Sequence, residues 1–240
     1  MDGKPDRKTK RASATPRQPS RGRGMLRYES LIDSTEILLR ERNADEVGLY
    51  QIAEHAGVPS ASVYHFFPTK EAAFAALAQR YLRGFAEQAR KPIDPAALYS
   101  WQGLMAWDQL KAIDYYHANP PAMTLFMGRY GGLETRKAEA EHNGLLAARV
   151  YRRLNSLFHM PALRDTEEKF HIYLEIVDAI LALSFVKHGR VTDDYRQQAW
   201  RASTAYCRLF LPDVVELRDE FREAVARGEP VAAPLLAVEG

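Results

Sequence analysis

From Met25 onward the apolar residues recur at helical spacing, and this periodicity constrains the fold more than any other feature of the sequence. In the first such stretch, Leu31, Ile32, Leu38 and Leu39 form one stripe along a helix. The strict alternation that marks a half-buried strand is nowhere convincing. The sequence therefore predicts an all-α fold.

Proline, glycine and polar capping residues divide this pattern into separate helices. Thr69 is a candidate N-cap, Pro120-Pro121 and Pro161 mark joints, and Gly189 is a candidate C-cap. The predicted helices cover residues 25–42, 49–56, 60–67, 70–90, 97–118, 122–135, 137–158, 166–188, 193–211 and 213–227.

Charge is unevenly distributed along the chain. Residues 1–24 carry eight basic and two acidic side chains, so a net charge of +6 precedes a body of −4. This segment has too few apolar side chains to offset its chain entropy, and we expect it to be disordered. A basic arm favours a polyanion as partner, although a tail that only keeps the chain soluble has the same composition.

Several classes of protein are disfavoured by composition. The only cysteine is Cys207, which excludes an internal disulfide and a thiolate-rich metal site. Neither a membrane-spanning apolar run nor the apolar core of a secretory signal is present, so we expect a reducing, cytoplasmic location. The seven histidines lack ligand spacing, and no phosphate loop or nucleophile elbow occurs, so we expect no metal, cofactor or catalytic residues.

The run LYQIAEHAGVPSASVYHFFP, residues 49–68, has the pattern of a helix-turn-helix. Gly57 stands where the turn needs a positive φ, and Ala53 is small where the two helices cross. Ser60 is a candidate N-cap for the second helix. A helical hairpin that merely packs has similar apolar spacing, but it does not account for Tyr64 and His65 facing outward beside a basic arm.

The second helix of such a motif enters the DNA major groove with its N-terminal residues towards the base edges. Ser62 and His65 can donate to or accept from bases, and Ala61 suits a thymine methyl group. Tyr64 and Lys70 suit phosphate contacts, and Tyr50 is a further donor to the DNA backbone. The candidate DNA-binding residues are Ser60, Ala61, Ser62, Tyr64, His65, Lys70 and Tyr50.

The run GVPSASVYHFFPTKEAAF resembles the signature of the tetracycline-repressor (TetR) family of transcriptional regulators. Gly57, Tyr64, Phe67, Lys70 and Glu71 fall in register with that signature. The resemblance covers about residues 26–85 and implies a three-helix DNA-binding head. One departure is Gly48, where the family often has a Thr or Ser that caps the first motif helix and touches phosphate.

The resemblance implies a larger helical region that dimerises and senses a small molecule. We expect a basic arm at 1–24, a DNA-binding domain at 25–70, a ligand-binding and dimerisation domain at 71–228 and a tail at 229–240. The run FHIYLEIVDAILALSFV, residues 170–186, is apolar on nearly every side, which favours a core or a subunit interface. The candidate interface residues are Ile180, Phe185, Tyr206 and Phe210; burial within one subunit is the alternative.

The stretch from residue 101 is rich in aromatic and sulfur side chains, a composition that suits a cavity for an apolar ligand and equally fills a core. The candidate ligand-binding residues are Trp101, Met105, Tyr116, Met123, Phe126, Met127, Tyr130, His171 and Asp178.

The leading hypothesis is a homodimeric repressor associated with the bacterial nucleoid, which binds a palindromic operator on double-stranded DNA and releases it when a small-molecule effector binds. The alternatives are an architectural DNA-binding protein with little sequence preference and an enzyme that uses the aromatic pocket. The ratio of specific to non-specific DNA affinity distinguishes the repressor from the architectural protein. A turnover assay distinguishes the repressor from the enzyme.

Overall fold

The structure, a computed structural model, describes residues 16–19, 22–128 and 133–232, without the side chains of 133–142 and 144–145. Most of the predicted arm, the end of the predicted tail and Tyr130 lie outside these residues. The described part is all-α, as predicted, with no sheet. Its helices are α1 (Arg23–Glu41), α2 (Leu49–His55), α3 (Ser60–Phe66), α4 (Lys70–Gln88), α5 (Trp101–Ala118), α6 (Pro120–Met127), α7 (Leu133–Leu157), α8 (Thr166–His188), α9 (Asp193–Cys207) and α10 (Asp219–Ala226).

Two compact units make up the chain, Met1–Tyr81 and Leu82–Gly240. The division falls inside α4, whereas the sequence placed a boundary at residue 70, where α4 begins. The first half of α4 belongs to the first unit because Ala73, Phe74 and Leu77 are buried there.

The core of the first unit joins the inward faces of α1 to α4. Its fully buried side chains include Leu31, Ile52, Val63, Phe67 and Leu77, one or more from each helix or from the residue after it. Leu31 belongs to the stripe that the helical period assigned to the inner face of the first helix.

Local signals for helix ends are mostly confirmed. The Thr69 hydroxyl accepts the Ala72 N–H at 3.2 Å, as expected of an N-cap, and Gly57 and Gly189 adopt φ of 64° and 67°. The expected N-cap role of Ser60 is wrong. Pro59, with φ −58° and ψ 140°, already occupies the N-cap position, so Ser60 is the first residue of α3.

The second unit is built around α8, which packs against both α7 and α9. This double contact accounts for the nearly all-round apolar sequence of α8. The largest fully buried side chains of the second unit include Trp101, Leu104, Leu154, Phe158 and Phe170.

Several helix boundaries differ from the predictions: α6 ends at Met127 rather than 135, α9 ends at Cys207 rather than 211, and α10 begins at Asp219 rather than 213. Two further differences have identifiable reasons. Helix α5 begins at Trp101 rather than 97, because the Ser100 hydroxyl accepts the Gly103 N–H at 3.0 Å and caps it there. Pro120 and Pro121, expected to be a joint, form the first turn of α6, where a missing N–H costs no helical hydrogen bond.

Irregular segments of the second unit are tied to the core by hydrogen bonds. Ile93 and Val231 exchange backbone hydrogen bonds of 2.8 and 3.0 Å. The Trp101 indole N–H donates to the Pro212 carbonyl at 2.9 Å, so the segment after α9 is held against the start of α5.

A partly buried ion pair joins α5 to α7, with Arg153 buried and the Asp108 side chain 37% exposed. The Arg153 guanidinium donates to both carboxylate oxygens of Asp108, at 2.9 and 3.1 Å, and to the Ala89 carbonyl at 3.1 Å. Burial raises the pKa of Asp108, and the charge of Arg153 opposes that rise.

Removing Arg153 leaves the partly buried Asp108 carboxylate without its cation. Because the Asp108 side chain is 37% exposed, water screens part of the loss, and we expect Arg153→Met to lower the free energy of unfolding by about 1–3 kcal/mol, measured by urea denaturation followed by circular dichroism. The exposed Arg201 on α9 provides a matched control, and Arg201→Met should change stability by less than about 0.5 kcal/mol. Equal effects of the two substitutions would show that the ion pair contributes nothing specific.

Candidate nucleic-acid interface and ligand-binding region

A turn of four residues, 56–59, connects α2 to α3. Val58 donates its N–H to the Ala53 carbonyl at 3.1 Å, across Gly57, whose φ is +64°. A side chain at position 57 is strained in this conformation whatever space surrounds it. The geometry is that of a helix-turn-helix with α3 as its second helix.

Helix α3 has one buried face and one exposed face. Val63 and Phe66 point into the core, and the Phe66 ring contacts Tyr28 with 5.8 Å between ring centroids. On the opposite side, Tyr64 is 55% exposed. Of the residues predicted to bind DNA, the structure leaves these exposed: Ser60, Ala61, Tyr64, His65 and Tyr50; Ser62 is half-buried.

Lys70 is held in place by a hydrogen bond, unlike a free surface cation. It is half-buried at the start of α4, and its ammonium group donates to the Ala44 carbonyl at 3.4 Å. An ammonium has three donors, so this contact orients Lys70 and leaves two donors for a phosphate. The sequence did not signal this bond because Ala44 is 26 residues away.

Gly48 occupies the N-cap of α2 in an extended conformation, with φ −121° and ψ 169°. It has no side chain to cap the helix or touch phosphate, so α2 lacks the capping side chain that the family often has at this position. Tyr50, two residues later and 63% exposed, is the nearest hydroxyl on α2.

The aromatic and sulfur side chains predicted to bind a ligand divide into two groups. Met105, Met123 and Met127 are buried in the core of the second unit, as is Trp101, whose indole N–H is already bonded. Tyr130 lies outside the described residues.

Tyr116 and Phe126 form a second group with a residue that the sequence did not nominate. The ring of Phe85, at the end of α4, lies 5.0 Å from that of Tyr116 and 6.2 Å from that of Phe126. Burial raises the pKa of Tyr116, and the negative charge of Asp178 raises it further. Tyr116 is therefore a neutral phenol at physiological pH.

His171 and Asp178 lie on α8 among polar partners. His171 is 3.5 Å from the carboxylate of Glu175, and the Asn143 amide donates to Glu175 at 2.9 Å and to Asp178 at 3.1 Å. Asn143 on α7 therefore bridges Asp178 and Glu175, and His171 reaches this group through Glu175.

A buried polar cluster in the second unit was missed by sequence reasoning. The Gln109 side-chain amide donates to the Tyr173 hydroxyl at 3.0 Å and to the Ser203 hydroxyl at 3.1 Å. Among the described residues, neither the Gln109 carbonyl oxygen nor the buried Thr204 hydroxyl has a hydrogen-bond partner. The available signal was a glutamine on the same face of α5 as Met105 and Tyr116, at helical spacing.

The candidate interface residues are partly covered within the chain. Phe210 packs its ring against those of Phe170 and Tyr206, at 6.0 and 5.4 Å. Ile180, Phe185, Tyr206 and Phe210 are half-buried. The more exposed apolar side chains of α8 are Ile172, Leu183 and Val186, which are 38%, 46% and 69% exposed.

Other chemistry has little support in the described part of the chain. Within it, no three His, Cys, Asp or Glu residues are grouped to hold a metal ion, and no helix is long and apolar enough to cross a bilayer. Cys207 is fully buried, and burial raises the pKa of its thiol to about 12. A thiol with that pKa is not a nucleophile at physiological pH.

Residues 31–77 match the family model of bacterial regulatory proteins, tetR family. The N-terminal domain belongs to the TetR family. The matched residues run from α1 through the helix-turn-helix into α4, so the resemblance read from the signature around Gly57 is confirmed. Within the first unit, residues 31–77 are a helix-turn-helix domain of that family.

Solved structures of TetR regulators share the fold of this chain beyond the residues that the family model matches. A TetR-family transcriptional regulator from Streptomyces coelicolor is 23% identical, with a TM-score of 0.59, and the match covers 79% of this chain and 100% of that one. A TetR regulator from Rhodococcus sp. RHA1 is 15% identical, with a TM-score of 0.57 and coverage of 78% and 97%. SmeT, the repressor of the Stenotrophomonas maltophilia multidrug efflux pump SmeDEF, is 16% identical, with a TM-score of 0.54 and coverage of 78% and 91%. The comparison with curated protein sequences gives no match.

The placement of Lys70 and Ser62 predicts opposite effects on DNA binding. Lys70→Ala removes a phosphate contact, so it should weaken binding to specific and random DNA alike and reduce the salt slope by about one unit. Ser62→Ala should instead relax base preference at one or two positions, at about 1–3 kcal/mol. Titration of fluorescent duplexes at several salt concentrations measures both, and a Lys70→Ala protein that loses only discrimination would contradict the assignment.

Proposed function

We propose that the protein is a homodimeric repressor that binds a palindromic operator through α3 and releases it when a small, largely apolar molecule binds the second unit. The observation that carries this proposal is the division of α3 into a face fixed in the core and a face of exposed small and polar residues. A helix held in this way can enter a major groove without losing its own packing.

Base reading is assigned to Ser60, Ala61, Ser62 and His65. The first three are small and stand at the N-terminal end of α3, so the helix can approach the base edges closely. His65 follows one turn later on the same exposed side. Tyr64, Lys70 and Tyr50 supply phosphate contacts at the margins.

The experiment that tests this function is selection from random duplexes with the full chain, followed by footprinting. Enrichment of a two-fold symmetric sequence, with half-sites about 10–10.5 base pairs apart or a multiple of that spacing, supports the repressor. Binding without enrichment, with specific and random DNA equal in affinity at fixed salt, supports the architectural alternative instead.

For the effector, we propose the region lined by Tyr116, Met123, Phe126 and Met127, backed by Trp101 and Met105. Flexible thioethers beside flat rings suit an apolar ligand of variable shape. One of the solved structures similar in fold, SmeT, is also known as a complex with triclosan, which supports a small molecule as effector. Tyr130, His171 and Asp178 stay candidates for contacts at the edge of this region.

The unpaired side-chain carbonyl of Gln109 suggests which polar group the proposed effector carries. Its carbonyl oxygen is buried without a partner in the described part of the chain. If the amide were flipped, the Tyr173 and Ser203 hydroxyls would donate to the carbonyl oxygen, and the NH₂ group would be left unpaired instead. An effector that bears a hydroxyl group satisfies the free acceptor. We therefore propose a phenol or an alcohol rather than a hydrocarbon.

A panel of phenols and their methyl ethers tests this requirement by calorimetry and by release of DNA. The wild-type protein should prefer each phenol over its ether by about 1–3 kcal/mol, because only the phenol pairs the buried oxygen. Gln109→Leu should bind both alike. A Gln109→Leu protein that keeps the full preference would place the polar contact elsewhere.

The dimer is assigned to α8 and α9, through Ile180, Phe185, Tyr206 and Phe210 together with the exposed stripe Ile172, Leu183 and Val186. An apolar stripe on an otherwise polar surface marks an association site. A two-fold axis beside it would bring the stripe against its own copy.

The expected result of Val186→Asp is a folded monomer, because the exposed side chain costs little in the free subunit but a buried carboxylate costs several kcal/mol in the dimer. Val214→Asp is the matched control, since Val214 is 83% exposed and lies outside the helices. Sedimentation velocity at micromolar concentration measures the assembly state. The monomer should also lose operator affinity, because two linked half-sites bind far more tightly than one. A Val186→Asp protein that stays dimeric would move the interface away from this stripe.

A further inference from the structure

The short segment 16–19, which precedes α1, is attached to the end of α3. The Arg17 backbone N–H donates to the Phe66 carbonyl at 2.8 Å. Phe66 is the last residue of α3, and the final carbonyl groups of a helix have no partner within the helix. The bond therefore satisfies one of these carbonyls and fixes the backbone of residue 17 at the C-terminal end of the helix proposed to read DNA.

A second contact holds the same segment two residues later. Pro19 lies against Gly24 in the first turn of α1, so closely that a Cβ at position 24 would stand 3.3 Å from the Pro19 Cβ. The exposed Gln18 side-chain amide reaches the side-chain oxygen of Gln79 only at 3.5 Å, so this bond is weak. The position of residue 17 is thus set by a backbone bond and a proline contact, not by its own side chain.

The Arg17 side chain is exposed, and in the part of the chain that the structure describes it pairs with no carboxylate. Arg80 of the same unit differs in this respect, because Glu29 and Asp33 bind its guanidinium at 2.7 and 2.6 Å. The charge of Arg80 is neutralised within the protein. The charge of Arg17 is available to an external anion.

The C-terminal end of α3 is also where a phosphate is expected. Lys70, the proposed phosphate contact at the start of α4, follows Phe66 by four residues. Helix α3 has seven residues and a length of about 10 Å, while the major groove is about 12 Å wide and has phosphates along both walls. A cation fixed at one end of α3 therefore stands close to a groove wall when the other end reaches the base edges.

We propose that Arg17 binds a DNA phosphate at the edge of the major groove that α3 enters, and that its backbone bond to Phe66 places it there. This inference rests on the proposed function, because it requires α3 to lie in that groove. Phosphate contacts fix the register and orientation of a protein on the duplex without reading bases. Arg17 and Lys70 then hold the same end of α3, one from the chain before α1 and the other from α4.

The charge is tested by Arg17→Gln in the full chain, because this substitution keeps the backbone N–H. Binding to a phosphate releases its counterions, so we expect the salt slope to fall by about one unit per subunit, for the selected operator and for random duplex alike. The ratio of wild-type to variant affinity should fall about threefold per subunit as salt is raised from about 50 to about 200 mM.

The matched control is Arg90→Gln, which removes an exposed charge of the second unit and should leave the salt slope unchanged. Circular dichroism verifies that both variants are folded. If Arg17→Gln has the same slope as the wild-type protein, Arg17 does not bind phosphate.

Placement is separated from total charge by exchanging two neighbouring residues. The double variant Arg17→Gln/Gln18→Arg keeps the composition, the net charge and the N–H at position 17, but it moves the cation one residue along the chain. We expect it to bind the operator as weakly as Arg17→Gln does. Wild-type affinity in the exchanged variant would show that the backbone bond does not place the cation, and would overturn the proposal.

The phosphate itself is identified by ethylation interference, since an ethylated phosphate has lost its negative charge. In each half-site we expect one phosphate whose ethylation weakens the wild-type protein but not Arg17→Gln, with sensitivity at the other phosphates unchanged. Identical interference patterns for the two proteins contradict the contact. A changed base preference in Arg17→Gln, without a changed phosphate, assigns Arg17 to base edges and also contradicts it.

Failure of this inference is distinguishable from failure of the proposed function. A selection that yields no enriched sequence contradicts the repressor itself. An enriched operator that the wild-type protein and Arg17→Gln bind with the same salt slope contradicts only the Arg17 contact.

Discussion

The inward anchoring of α3 is the constraint on which the DNA-binding unit depends. A helix of seven residues is too short to persist by itself in water. It exists because Val63, Phe66 and the following Phe67 are buried against α1 and its neighbours, with the Phe67 ring 5.2 Å from that of Tyr28. The same burial fixes which side of the helix faces solvent. The face of α3 that we propose to read DNA is therefore set by the packing of the opposite face.

The second unit depends on a different balance, because it buries polar groups among apolar ones. Asp108 and Arg153 neutralise each other there, whereas the Gln109 amide is only half satisfied by its described neighbours. An unpaired polar atom in a core costs more than a hydrogen bond returns, so such an atom needs an explanation. The proposed effector hydroxyl supplies one for Gln109, whereas the methionines and aromatic rings of the same unit fill space equally well with or without a ligand.

Local chemistry explains which parts of the structure could be predicted from the sequence. The positive φ of Gly57 and the cap from Thr69 depend on residues within a few positions, and both were predicted correctly. The bond from Lys70 to Ala44 and the pairing of Asp108 with Arg153 join residues 26 and 45 positions apart. A single sequence contains no periodic signal for such pairs. The exposed stripe on α8 was hidden for a related reason, since an all-round apolar helix does not tell which of its sides is covered.

The backbone pairing of Ile93 with Val231 brings a segment near the start of the second unit beside a segment near its end. Its connectivity is therefore nearly that of a closed ring, in which the first and last segments are neighbours. Folds with adjacent ends tolerate transplantation and circular permutation. We therefore expect the second unit to tolerate such rearrangement, provided that the cut is made beyond Val231, whose buried side chain and two backbone hydrogen bonds complete the ring.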